Sequence, residues 1–282
     1  MGVESVVALS ISDKALGDGP IRDELATLRQ HGFTHVHFSQ GWRSADPLND
    51  EVIAEWQEAL AASKMAVLDV HGCHPSQVNL WSDDQEKRQR ALALFEHRLE
   101  LTHALGGDAV VYHVPTRVPA GHDIIERYVD GLARLEDKAR QLGIKVALEN
   151  HYLPENDRFV LAACFERFSP DYIGLTFDSG HAVRSGNTDW LIEYCFDRLT
   201  VLHLHDNEPG YDRYWLPGHA EGHVNWTQVV RAIAASPYRK PLQLETGWNR
   251  EMYPDHAAFV RAAYEAPRTL HERITQERGC HP

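Results

Sequence analysis

The chain has 282 residues, 43% of them hydrophobic, enough to bury one full core, and a single domain of this length suits an alternating α/β fold. With 41 acidic against 28 basic side chains the formal net charge is −13, so a surface built to neutralise a phosphate backbone is disfavoured and no nucleic-acid partner is expected. The opening MGVESVVALSIS has no basic stretch before an apolar one, and no apolar run approaches the roughly 20 residues of a membrane span, so a soluble, cytoplasmic protein with no membrane partner is expected.

Short β-branched or apolar runs alternate with longer segments of helical period. VVALS (6–10) is the first predicted strand, followed by a helix from about Ile21 to Gln30. THVHFS (34–39), MAVLDVH (65–71), AVVYHV (109–114), IKVALEN (144–150), YIGLTFD (172–178), LTVLHLH (199–205) and PLQLE (241–245) complete a set of eight. Amphipathic stripes between them, such as Leu92, Phe95 and Leu99, or Ile125, Val129, Leu132 and Leu135, read as crossover helices. Gly32, Gly106-Gly107 and Gly143 stand where a left-handed helix cap should precede the next strand. Strand and helix alternate throughout, without a composition break and without a GxGxxG turn, which predicts a single (β/α)8 TIM barrel over 1–282 rather than a doubly wound sheet. The polar tail after about Arg273 is expected to fray.

In such a barrel the C-terminal strand ends converge on one mouth. Read in order they carry His37, His71, His113, Glu149, Asp178, His203 with His205, and Glu245. Ionised groups at the ends of buried strands cost several kcal/mol unless they are paired or bound to metal, so the repetition asks for a common cause. The period of two agrees: Ala147 and Glu149 share one face, as do Gly174, Thr176 and Asp178, so small residues line the barrel and acids cap it. Cys73, Cys164, Cys195 and Cys280 show no CxxC spacing and read as reduced thiols, leaving His and carboxylates to hold any cation.

The segments VALENH, TFDSGH, LHLHDN, YDRYWLPGHAEGHVNW and QLETGW resemble the xylose-isomerase-like TIM-barrel superfamily across nearly the whole chain. That superfamily includes sugar and sugar-phosphate isomerases and epimerases, ketose 3-epimerases, inosose dehydratase and endonuclease IV. The resemblance implies one divalent metal on Glu149, Asp178, His203 and Glu245, and a substrate-binding role for His181. Three carboxylates with one imidazole favour Mn²⁺ or Mg²⁺, with Co²⁺ or Zn²⁺ also suitable, and the His-rich surroundings leave room for a second ion. It further implies proton transfer by Glu149 and Glu245 through a metal-stabilised enediolate of a small carbohydrate substrate.

His71 and His113 are candidates for substrate contact or for the metal, His37 and His205 for pocket lining, and His151 for a loop position or a general base. Arg213 is a candidate for a substrate oxygen or phosphate, and Trp42, Trp81, Trp215 and Trp248 for an aromatic floor under a sugar. The run Asp83 to Arg88 reads as a solvated helix start. A lyase or dehydratase working on a keto-sugar or keto-inositol through the same metal site is the alternative. An endonuclease IV-like phosphodiesterase would need three zinc ions. His71, His113, Glu149, Asp178, His181, His203, Asp212 and Glu245 match its larger ligand set, but Asp212-Arg213-Tyr214 lacks the second His of its D-x-H motif, for which His219 is the nearby substitute. A non-catalytic sugar-binding barrel is a fourth reading. Barrels of this kind often self-associate, so a homo-oligomer is expected as a further partner.

Overall fold

A computed structural model describes residues 7–44, 46–73, 79–116 and 121–279. Eight parallel strands, β1 (Leu9–Ser12), β2 (His35–Phe38), β3 (Ala66–His71), β4 (Ala109–His113), β5 (Lys145–Glu149), β6 (Ile173–Asp178), β7 (Leu199–His203) and β8 (Leu242–Leu244), form one sheet in which β1 to β7 pair in sequence order and β1 also pairs with β8. The Leu204 amide donates to Gln243 O at 3.0 Å and the Glu245 amide to Leu204 O at 3.2 Å, closing β7 onto β8. The result is the single (β/α)8 barrel expected.

The wall is made by α1 (Ile21–Gln30), α2 (Asp50–Ser63), α3 (Gln85–Ala104), α4 (His122–Leu142), α5 (Pro154–Arg167), α6 (Ser179–Ser185), α7 (Thr188–Cys195), α8 (Trp226–Ala235) and α9 (His256–Gly279). Its main core lies between sheet and helices, where Leu99 of α3 and Leu132 and Leu135 of α4 are buried as their spacing required. Inside the barrel, Ala109, Val111, Ala147 and Val201 form a small separate cluster. Small side chains there keep the interior filled and leave the strand ends free to carry polar groups. Gly32, Gly106 and Gly143 all take positive φ at their helix ends, and the acidic run near residue 84 is a helix start in which Asp84 caps α3.

Two boundaries differ from the sequence reading. The first strand is Leu9–Ser12, displaced from 6–10, and residue 6 lies outside the described residues. Ser10 faces inward to Gln243, whereas Leu9 and Ile11 join the main core, so the strand follows a polar–apolar alternation rather than the apolar run. At the other end α9 continues to Gly279: Ile274 is buried and Arg278 donates to Tyr238 O at 2.6 Å, which holds the polar segment after Arg273 as helix.

Two register shifts decide which side chains meet. Between β6 and β7 the pairing moves from Leu175↔Leu199 to Thr176↔Val201, so that Asp178 lies beside His203; an unshifted ladder would set it beside Leu202. Between β2 and β3 the same device pairs His37 with Asp69 instead of Leu68. A one-residue slip turns a side chain to the other face, so each irregularity places two polar residues side by side on the barrel interior.

Candidate active site

The β1 strand ends in Ser12, and Asp13 immediately after it accepts the amides of Ser39 at 2.7 Å and Gln40 at 3.1 Å, together with the Ser39 hydroxyl. This joins the ends of β1 and β2. Lys14 then reaches across the mouth, with Nζ 2.8 Å from Glu245 Oε1 and within about the cation–π range of two rings, 5.3 Å from Trp42 and 5.0 Å from Tyr214.

Glu149 is fully buried and surrounded by imidazoles. Its Oε2 lies 2.9 Å from His113 Nε2 and 3.9 Å from His71 Nε2, and its Oε1 lies 3.3 Å from both His181 Nδ1 and His203 Nδ1. Glu245 Oε2 is 3.1 Å from the same His203 Nδ1. Asp178 caps the start of α6 by accepting the His181 amide at 2.7 Å, and His205 Nε2 lies 3.0 Å from the same oxygen. Asn150, next to Glu149, exchanges two hydrogen bonds with the Asp178 backbone at 2.9 and 3.0 Å, so the two acid-bearing strand ends are held in register.

Ligand atoms of Glu149, Asp178, His203 and Glu245 lie within 4.8 Å of one another, all buried, and could hold a metal ion. A set of three carboxylates and one imidazole suits a divalent cation. His71, His113 and Glu149 form a second such group, and His37, Asp69 and His203 a third.

Burial disfavours charge on every group here, and the neighbours decide the outcome. For Glu149 the desolvation is outweighed by His113 and His203, and for Glu245 by Lys14 and His203, so both carboxyls are held well below the ordinary glutamate range. Burial likewise lowers His203 and His181, but Glu245 and Glu149 raise the first well above the usual imidazole value and Asp178 raises the second. His205 is raised by Asp178 against its burial. His71 and His151 go the other way: burial, reinforced by His113, pushes both well below the ordinary value and leaves them neutral.

This chain matches the family described as xylose isomerase-like TIM barrel over residues 25–263. The chain belongs to that family. An uncharacterised protein, y4fM, of Sinorhizobium fredii is 27% identical over 93% of this chain and 92% of its own. An inosose dehydratase of Lacticaseibacillus casei is 33% identical over 29% of this chain and 28% of its own. Among solved structures, L-ribulose 3-epimerase superposes with a TM-score of 0.74 at 16% identity, covering 96% of each chain, a likeness of fold.

The remaining positions where the sequence resembles this family have distinct surroundings. Tyr214, in place of the D-x-H histidine, has a positive φ of 52°, stacks on His205 at 4.6 Å and offers its carbonyl to Thr246 Oγ1 at 2.6 Å. Asp212 accepts the Tyr152 hydroxyl at 2.7 Å and lies 3.6 Å from His181 Nε2 and 3.9 Å from Arg184, whose guanidinium covers the Tyr152 ring at 3.6 Å. Burial opposes its charge, but the His181 contact prevails and draws its pKa down to about 2. His219 stacks on Trp215 at 4.2 Å and accepts the Glu221 amide through Nδ1, and among the described residues it joins none of the three groups able to hold a cation.

Arg213 is bound to Glu208 at 2.6 Å, and with Lys14, Tyr214, Trp215 and Trp248 it borders a cavity of about 300 Å³ that Thr246 also lines. Trp248 Nε1 donates to Tyr253 O at 2.8 Å, and the Trp42 ring lies 4.8 Å from that of His71. Trp81 packs on Tyr128 in the core instead of on the mouth.

Sequence reasoning passed over Lys14, Asp69 and Asp206. Asp69 stands two positions before His71, so the period of two could have found it. Asp206 accepts the amides of Asn207, Gly218 and Val224 at 3.0, 3.0 and 3.1 Å and Trp226 Nε1 at 2.7 Å, tying down the loop that carries Asp212 to Tyr214. Its clue was only its position after a strand.

Proposed function

We propose that this chain is a divalent-metal-dependent isomerase or epimerase of a sugar or sugar phosphate, with Glu149, Asp178, His203 and Glu245 as ligands and Glu149 and Glu245 as the proton-transfer pair. The carrying observation is the convergence of those four buried side chains at the barrel mouth within 4.8 Å. Family membership and the fold shared with L-ribulose 3-epimerase support it. Their donor set favours Mn²⁺ or Mg²⁺. Bound there, the cation would supply Lewis acidity to the substrate's carbonyl and hydroxyl oxygens.

The protein's own groups supply the rest. Glu149 removes the proton from the carbon beside the carbonyl, and the ionised Glu245, with one oxygen facing His203 and the other 2.8 Å from the Lys14 ammonium, takes a proton from Lys14 and passes it to the opposite face or the neighbouring carbon. His181 donates to a substrate oxygen, His113 and the neutral His71 line the same wall, and Arg213 and Trp248 border the space for the rest of the sugar.

Solvent deuterium should wash into the carbon-bound position of a responsive ketose or ketose phosphate, and EDTA should stop it. Absence of exchange across a broad panel with the metal-loaded protein would sink the proton-transfer assignment.

A lyase or dehydratase reading is favoured by one observation, the Lys14 ammonium 2.8 Å from Glu245, which could donate a proton to a departing hydroxyl. The partial match to inosose dehydratase agrees with it. Release of water or an aglycone separates the two. A three-metal phosphodiesterase fits less well, because Asp212 is taken by Tyr152 and lies beside the Arg184 cation.

A further inference from the structure

Beneath the mouth, three fully buried polar side chains from three different strands face one another inside the barrel. His37 Nδ1 lies 2.5 Å from Asp69 Oδ1, and Gln243 Nε2 lies 3.4 Å from the same oxygen. The His37 and His203 rings stand 4.8 Å apart edge to face. One ring nitrogen of each histidine and a carboxylate oxygen of Asp69 fall within 4.8 Å of one another. Among the described residues, His37 Nε2, Asp69 Oδ2 and His203 Nε2 have no hydrogen-bond partner. Leaving such groups unmatched costs about 1–3 kcal/mol each, so an arrangement that keeps three together calls for a use. The β2–β3 register shift makes this juxtaposition, since an unshifted ladder would oppose His37 with Leu68.

The other edge of His203 explains the use. Its Nδ1 faces Glu149 and Glu245, so Nδ1 must offer a lone pair for His203 to serve as a ligand, and Nε2 must then carry the ring proton. A ligating histidine of fixed tautomer commonly donates its second N–H to a carboxylate, directly or through one water. We infer that Asp69, oriented by the His37 Nδ1–H, is the positioning residue for His203, accepting its Nε2–H across a gap that a single water spans and so directing Nδ1 toward the mouth. This rests on the proposed metal site. Burial alone would raise the Asp69 carboxyl, and the adjacent His37 outweighs it and keeps Asp69 an acceptor.

The test uses purified full-length protein stripped of metal and titrated with Co²⁺. Wild type should bind, with a visible ligand-field spectrum. Asp69→Asn, shown folded by circular dichroism and an intact thermal transition, should bind about 10- to 100-fold more weakly with a shifted spectrum. An unchanged affinity and spectrum in folded Asp69→Asn overturns the inference. Failure of wild type itself to bind overturns the metal-site reading instead, and the inference with it. Where Asp69→Asn does not fold, ¹⁵N spectra of zinc-loaded wild type decide: a His203 proton on Nε2 supports the assignment, and a proton on Nδ1 refutes it.

Discussion

Cation binding at the proposed metal site should be coupled to release of one proton, from His203. His203 Nδ1 sits 3.1 Å from Glu245 and 3.3 Å from Glu149, which outweigh its burial and raise its pKa well above the ordinary value of about 6.5. A metal ion and this proton need the same nitrogen. Glu149 and Glu245 are held well below their ordinary range and stay ionised near neutrality, so they release nothing. Below the folded pKa of His203, one displaced proton costs about 1.4 kcal/mol per pH unit, and apparent affinity should rise roughly tenfold per unit. His181, raised by Asp178 and held by Asp212, keeps its proton in a one-metal site; losing it as well would make the slope two. The sign for the metal-free protein is opposite. A raised imidazole stabilises the fold fully below about 6.5, and that contribution is lost as pH climbs through the folded value. Metal-free protein should therefore lose stability on the alkaline side, where added metal restores most. Isothermal titration with Mn²⁺ or Co²⁺, in buffers of differing ionisation enthalpy, counts the protons directly. An affinity that is flat from about pH 6 to 8, with no buffer-dependent heat, would refute the argument that the cation replaces the His203 proton.

Three substitutions probe the scaffold around it. Glu149→Gln removes the charge shared by His71, His113, His181 and His203, and should cost about 10²- to 10⁴-fold in turnover and weaken metal binding; near-normal isotope exchange would count against Glu149 as the base. A Cβ on Gly180 would lie 2.0 Å from His205 Cε1, so Gly180→Ala should break the His205–Asp178 contact and cost about 1–3 kcal/mol in a denaturant titration, whereas an unshifted midpoint would show that the ring yields freely. Asp206→Ala leaves the Trp226 indole N–H and three amides without their acceptor; a loss of at least about 3 kcal/mol and rapid amide exchange at Gly218 and Val224 are expected, and unchanged protection would contradict its role as the loop's anchor.

Much of this molecule was legible in one dimension because strand ends are local. Glu149, Asp178, His203 and Glu245 each close a short apolar run, and period-two alternation turns them inward without any knowledge of their partners. Helix ends were equally local, marked by the glycines at 32, 106 and 143. The first strand was placed too early because its inward residues are serines, and Ser10 finds its partner, Gln243 of β8, 233 positions away. Lys14 has no neighbouring pattern at all: it acquires its meaning from Glu245, 231 positions away.

The sequence by itself therefore determined the eightfold alternation, the barrel and the row of acids and imidazoles at its mouth, since each depends on short-range periodicity. Tertiary structure decided who faces whom. The β6–β7 shift sets Asp178 beside His203 and the β2–β3 shift sets Asp69 beside His37, because an irregularity in register is a property of two strands together, and moving it by one residue turns a polar side chain toward the opposite face.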